Sequence, residues 1–162
     1  MAAGSKGRVG IIGLGIMGGA FARNLIADGW NVAGVDTDPK RRKEMTKAGV
    51  SVSDSVKELV TAVPIVITSL PSPKALAAVA QEIAQSGAKP RIIIEASTFA
   101  LDDKLAAESV VRKAGHTMLD CPVSGTGAQA ARKDLVVYAS GDRKAIEKAM
   151  PVFAGFSRKT EN

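Results

Sequence analysis

The sequence predicts an α/β protein, a doubly wound and mainly parallel sheet with helices on both faces. Three observations carry the prediction. Several short runs are β-branched and almost continuously apolar, notably residues 9–12, 65–67 and 92–94, as expected of strands covered on both faces. Segments of helical length alternate with these runs, and such alternation builds parallel strands joined by right-handed crossovers. Start and stop signals fall between the two. Asp38 stands before Pro39 at a first helical turn, and Gly29, Gly49 and Gly115 each follow a helical segment as C-terminal caps.

In chain order, residues 1–7 are expected to be flexible, and one domain is expected over residues 8–162. A strand at 9–12 leads into a helix at 16–28, and a second strand at 32–36 into a helix at 40–47. A short strand at 51–53 precedes a helix at 56–62. Strand 65–70 then leads to helix 73–85, and strand 91–95 to helix 102–113. Strands follow at 117–120 and 135–139, with a last helix at 143–150. The tail from Phe156 to Asn162 is polar and has no obvious structural stop. No repeat, low-complexity tract or linker interrupts residues 7–150.

The turn after the first strand reads Gly13-Leu14-Gly15-Ile16-Met17-Gly18, a G-x-G-x-x-G between a strand and a helix. Each glycine has its own mechanical task around a dinucleotide. Gly13 permits the tight turn, Gly15 lets backbone approach a pyrophosphate, and Gly18 allows close packing of helix on strand. The helix N-terminus offers free N–H groups to the phosphates. Asp36 ends the second strand about 20 residues on, where an acid accepts hydrogen bonds from the adenosine ribose. A carboxylate there repels a 2′-phosphate, so NAD is expected in preference to NADP, although Arg41 and Arg42 pull towards a phosphate.

Composition removes several other classes. Hydrophobic residues make up 46% and charged residues 23% of the 162, which is ordinary for a globular domain and excludes wholesale disorder. No apolar stretch is long enough to span a bilayer, and the opening residues lack the apolar core of a signal peptide. Cys121 is the single cysteine, so neither a disulfide framework nor a metal site is expected, and the chain is expected to be cytoplasmic. The net charge of +6 raises nucleic acid as a partner. However, the one basic cluster, Lys40 to Lys43, opens a helix and has no interleaved aromatics, so no nucleic-acid partner is expected. His116 follows the Gly115 cap with no partner acid indicated and is read as a surface or strand-edge residue rather than a general base. Cys121 is read as a small buried residue.

Three further segments stand at carboxyl ends of predicted strands, where open α/β sheets bind ligands. Thr68 to Pro73 and Glu95 to Thr98 are either ligand contacts or turns held by local hydroxyl and proline chemistry. The third runs from Asp120 to Gly127. Ser124 with its following glycines offers a cradle for a carboxylate, or Ser124 is an ordinary helix cap.

Taken together, Gly13 to Gly18, Leu70-Pro71, Ser97-Thr98 and Asp120-Cys-Pro-Val-Ser-Gly125 occur in an order and spacing that resemble the NAD(P)-binding domain of the β-hydroxyacid dehydrogenases. That family includes 3-hydroxyisobutyrate dehydrogenase, tartronate semialdehyde reductase and the 6-phosphogluconate dehydrogenases. The resemblance runs over roughly residues 8–157. It implies a Rossmann-type domain whose cofactor contacts are Gly13, Leu14, Gly15, Ile16, Met17, Gly18, Asp36, Leu70, Pro71 and Thr98. Ser124 and Gly125 would hold the carboxylate of a small substrate. Cys121 replaces the usual alanine, Thr126 a glycine, and Lys133 another glycine, departures that bear on substrate identity rather than on fold. In the family a helical domain follows, carries the catalytic lysine, packs here and supports dimerisation. No residue of this chain is therefore assigned a catalytic role, and the chain alone is expected to be inactive. A stand-alone dinucleotide-binding regulatory module is the alternative, and a flavin or S-adenosylmethionine protein would share the fold.

Overall fold

The computed structural model describes residues 4–162. The elements run β1 (Arg8–Ile12), α1 (Ile16–Ala27), β2 (Asn31–Val35), α2 (Pro39–Lys47), β3 (Ser51–Val52), α3 (Val56–Ala62), β4 (Ile65–Thr68), α4 (Pro73–Ala84), β5 (Ile92–Glu95), α5 (Leu101–Lys113) and β6 (Thr117–Asp120). Then come β7 (Val123–Ser124), α6 (Gly127–Ala131), β8 (Val136–Tyr138), α7 (Arg143–Phe156) and β9 (Lys159–Glu161). Helix starts lie where short polar side chains accept the orphan N–H groups of the first turn. Asp38, Ser55, Ser72 and Asp142 each do so at an N-cap.

Six parallel strands form one sheet in the order β3-β2-β1-β4-β5-β6, the Rossmann arrangement. The order reverses between β1 and β4, and the crevice opens at their carboxyl ends. Both faces are covered. Phe21, Leu25, Phe153 and Phe156 of α1 and α7 bury one face, and Leu59, Leu76, Ile83 and Val111 of α3, α4 and α5 bury the other. This is why the central strands β1, β4 and β5 read as apolar runs.

The structure departs from the sequence reading at the C-terminal end. The strand expected at 135–139 forms as β8, but it joins a small second sheet, β7-β8-β9, in which β7 is antiparallel and β9 parallel to it. The helix expected to stop at residue 150 continues through Pro151 to Phe156. A helical proline costs about 3 kcal/mol. Beyond it Val152, Phe153 and Phe156 are all buried, and each large apolar side chain returns roughly 1.5–3 kcal/mol. Phe156 also packs on Phe21 with ring centroids 4.6 Å apart. The polar tail then adds β9 to the small sheet. At the other end, residues 1–3 of the segment expected to be flexible lie outside the described residues. Within it, the Lys6 N–H donates to Gly29 O at 3.0 Å and the Gly7 carbonyl accepts from Asn31 N–H at 2.9 Å.

Strands β7 and β9 and helix α6 were not expected from the sequence. The signal for α6 was present: Thr126 and Gln129 form a reciprocal capping box. Past its end, Lys133 takes φ +62°, the one left-handed non-glycine among the described residues. The glycine that the resemblance places here adopts that conformation freely, whereas a side chain costs about 1 kcal/mol. Lys133→Gly is expected to raise stability by up to about 1 kcal/mol, seen as a higher urea midpoint at unchanged slope. A lower midpoint would contradict it.

Candidate functional site

The glycine turn is built by contacts that leave no room for side chains. Gly13 has φ +98°, and a Cβ there would overlap the Ser69 carbonyl oxygen in the β4–α4 loop. A Cβ on Gly18 would overlap the Gly13 carbonyl oxygen, which fixes the close seat of α1 on the turn. Gly15 is the N-cap of α1 and has no side chain to satisfy the first N–H groups. In the direction of its missing Cβ lies the Arg41 guanidinium. A cation therefore stands at the N-terminus of α1.

Asp36 is partly buried and ties the turn to β2. Its Oδ2 accepts the Leu14 N–H at 2.7 Å and its Oδ1 the Asp38 N–H at 2.8 Å. The two arginines that pulled towards a phosphate separate here. Arg42 Nη1 donates to the Asp36 carbonyl at 2.7 Å, whereas Arg41 Nε lies 3.7 Å from Asp38 Oδ2 with its side chain 44% exposed. Of the predicted contacts, Leu14 buries its side chain in the core, so only its backbone faces the turn. Ile16 is 75% exposed beside it.

Leu70, Pro71, Thr98, Ser124 and Gly125 all fall in segments at or beyond the carboxyl ends of β4, β5 and β6, on the same edge of the sheet as Gly13 and Asp36. Pro71, Thr98, Ser124 and Gly125 are exposed. The alternative role for Ser124 does not hold: it belongs to β7, and the cap of α6 is Thr126. Ser97 is buried, and its Oγ accepts the Leu70 N–H at 2.9 Å, joining the two predicted loops.

Glu95, left unassigned by the sequence, is fully buried at the end of β5. Its Oε1 accepts the Ser97 N–H at 2.8 Å, and its other oxygen accepts the Thr68 hydroxyl. Burial raises its carboxyl above the usual range, against the pull of these hydrogen bonds and of Lys104. Lys104 is also buried and donates to Asp120 Oδ1 at 2.5 Å. Nothing in a lone glutamate and a lone lysine nine residues apart marks this pair in the sequence.

Burial, and then the neighbouring Asp120, push the Cys121 thiol up to about 12, so it is inert as a nucleophile at neutral pH. His116 lies at the opposite end of β6, with its Nδ1 accepting the Arg91 N–H at 3.0 Å. Burial, then Arg91, lowers it from its ordinary 6.5. A depressed folded-state value means the neutral ring stabilises the fold fully above about 6.5 and loses that contribution as pH falls towards the folded value. The melting temperature is therefore expected to drop below about pH 6.5. His116→Asn, whose side-chain oxygen can accept the same N–H, is expected to flatten that drop. Identical pH slopes for the two proteins would remove His116 from this role.

Among the described residues no group of three or more His, Cys, Asp or Glu could hold a metal, and no helix is long and apolar enough to cross a membrane.

Residues 8–161 match a family described as the NAD binding domain of 6-phosphogluconate dehydrogenase. The chain is 30% identical over 154 residues to the NAD-dependent L-serine dehydrogenase of Pseudomonas aeruginosa, covering 93% of this chain and 52% of that protein. It is 36% identical over 142 residues to mouse mitochondrial 3-hydroxyisobutyrate dehydrogenase, covering 85% of this chain and 42% of the mouse protein. Mycobacterium tuberculosis 3-hydroxyisobutyrate dehydrogenase, solved with L-serine, superposes with a TM-score of 0.92 at 29% identity. That match covers 96% of this chain and 53% of the solved one. The chain thus spans about half the length of the relatives it matches.

Proposed function

The chain belongs to the family of the NAD binding domain of 6-phosphogluconate dehydrogenase, and from that premise we propose that it holds NAD for an oxidoreductase acting on a small β-hydroxyacid. The observation that carries the reading is the fitted turn at the strand-order reversal. Cβ atoms at Gly13 and Gly18 would overlap backbone carbonyl oxygens, and Asp36 is anchored to the same turn by Leu14 N–H.

The residues present suit the cofactor. The uncapped start of α1 meets the pyrophosphate with N–H groups, and Arg41 adds a positive charge beside Gly15. Asp36 keeps lone pairs for ribose hydroxyls while repelling a 2′-phosphate. With Arg42 committed to a backbone carbonyl, that repulsion favours NAD over NADP. Leu70, Pro71 and Thr98 line the nicotinamide side. Ser124 and Gly125 receive the substrate carboxylate from a hydroxyl and backbone N–H groups. Bound NAD supplies the hydride acceptor, and this chain supplies position. Relatives are named for L-serine, 3-hydroxyisobutyrate, L-threonate and glyoxylate or succinic semialdehyde, all small acids.

Proton transfer is assigned to a lysine from a helical domain that packs on this one in the intact enzyme and pairs two subunits. The chain's own candidates are engaged elsewhere. Lys104 is bound to Asp120, the Cys121 thiol sits at about 12, and His116 is buried at the far end of β6. The chain alone is accordingly expected to bind NAD and not to reduce it with 3-hydroxyisobutyrate or L-serine. Calorimetric titration with NAD, NADP, FAD and S-adenosylmethionine tests the reading. NAD is expected to bind most tightly, and flavin binding without nicotinamide nucleotide binding would overturn it. Sustained turnover by protein freed of contaminating enzyme would overturn the assignment of proton transfer to another domain.

A further inference from the structure

A charged network at the carboxyl edge of the sheet is used by none of the roles above. Strand register aligns Thr68, Glu95 and Asp120, the last residues of β4, β5 and β6. Lys104, in the first turn of α5, reaches between the second and third of these. Its Nζ is 2.5 Å from Asp120 Oδ1 and 4.0 Å from Glu95 Oε1, and its side chain is only 8% exposed. Glu95 in turn holds Ser97 N–H, and Ser97 Oγ holds Leu70 N–H. Burying a lysine and a carboxylate together costs several kcal/mol in desolvation, and a leucine or methionine would fill the same space without that cost. What the charged pair adds is direction. It joins the roots of three loops, those that carry Leu70, Thr98 and Ser124.

We propose that Lys104 is a positioning residue for the nicotinamide and substrate side of the site. It sets the separation between the Glu95–Thr98 turn and the segment from Asp120 to Ser124. The adenosine side stands on Gly13 and Gly15 in the β1–α1 turn, on Gly18 in α1 and on Asp36 just after β2. Gly13 packs on the Ser69 carbonyl beside Leu70, but none of the four shares a hydrogen bond or ion pair with Lys104, Glu95 or Asp120. The inference rests on the NAD reading above.

Two ligands separate the halves: NADH, and ADP-ribose, which lacks the nicotinamide. The native chain is expected to bind NADH more tightly than ADP-ribose. Lys104→Met is expected to leave ADP-ribose affinity within about twofold and to cut the NADH advantage about tenfold, the equivalent of one charge-assisted hydrogen bond. Lys104→Met combined with Glu95→Gln removes the cation together with the charge it offsets, and the same loss is expected if the single variant fails to fold. Lys104→Arg, which keeps the charge, is expected to restore most of the advantage. Equal weakening of both ligands, an unchanged advantage in a folded variant, or failure of both neutral variants to fold would each overturn the proposal. Equal affinity of the native chain for both ligands would also overturn it while leaving the NAD reading intact. Binding of neither ligand by the native chain would overturn that reading itself.

Discussion

Gly18→Ala is expected to abolish measurable dinucleotide binding and to destabilise the fold by more than about 3 kcal/mol, within the range of severe backbone and overpacking defects. The added methyl would meet the Gly13 carbonyl oxygen, a backbone atom held from the other side. Gly13 has no latitude to retreat, because its own N–H is bonded to Val35 O and its Cα abuts the Ser69 carbonyl. Either α1 lifts away from the turn or the turn itself opens, and each removes the N–H groups from the pyrophosphate path. The neighbouring Gly19→Ala is the control. Its Cβ would lie 3.4 Å from Leu14 O and Met45 Sδ, an ordinary contact, and alanine in a helix interior gains about 1 kcal/mol over glycine. Melting temperature and NAD affinity measured on both variants give the comparison. If Gly18→Ala behaved like Gly19→Ala, the close seating of α1 on the turn would not be what shapes the site.

Asp36→Ala is expected to weaken NAD binding by about tenfold or more, since hydrogen bonds to a charged group each contribute roughly 1.5–3 kcal/mol. NADP affinity is expected to fall much less, because the repelling charge leaves with the acceptor. Part of the NAD loss comes from the turn itself, as Leu14 N–H and Asp38 N–H lose the oxygens they bond. Asp36→Asn separates the two contributions. It keeps an acceptor for one backbone N–H while removing the charge, so it is expected to narrow the NAD-to-NADP ratio with a smaller loss of stability. An unchanged ratio in both variants would take Asp36 out of cofactor selection.

The residues that make these predictions possible differ in how visible they were. Gly13, Gly15, Gly18 and Asp36 act through backbone geometry and through a spacing that strand-turn-helix connectivity imposes, so they stand in the chain as a pattern. Strands of the main sheet were visible for a similar reason. The central strands β1, β4 and β5 are covered on both faces and read as apolar runs, so no long-range information is needed to recognise them. The edge strand β3, by contrast, is only Ser51–Val52 and leaves a weak trace. Thr126 and Gln129 show the opposite failure. Their capping box is local, but it opens a helix of only five residues with a single buried side chain, too short to show a helical apolar period. The path of α7 through Pro151 is of another kind. Local chemistry argues for a stop there, and the burial of Val152, Phe153 and Phe156, with Phe156 packed on Phe21 from the first helix, outweighs it.

The sequence by itself determined the fold class, the dinucleotide turn and the loops that carry the candidate site, because each depends on residues close together in the chain. Tertiary structure alone decided that residues 136–138 leave the main sheet for a smaller one. It alone also decided that Arg41 stands over Gly15, and that Lys104 bridges Glu95 and Asp120. These are unions of side chains or strands brought from separate elements. Their energy comes from burial and charge pairing that exist only once the sheet has closed, so nothing in the local sequence records them.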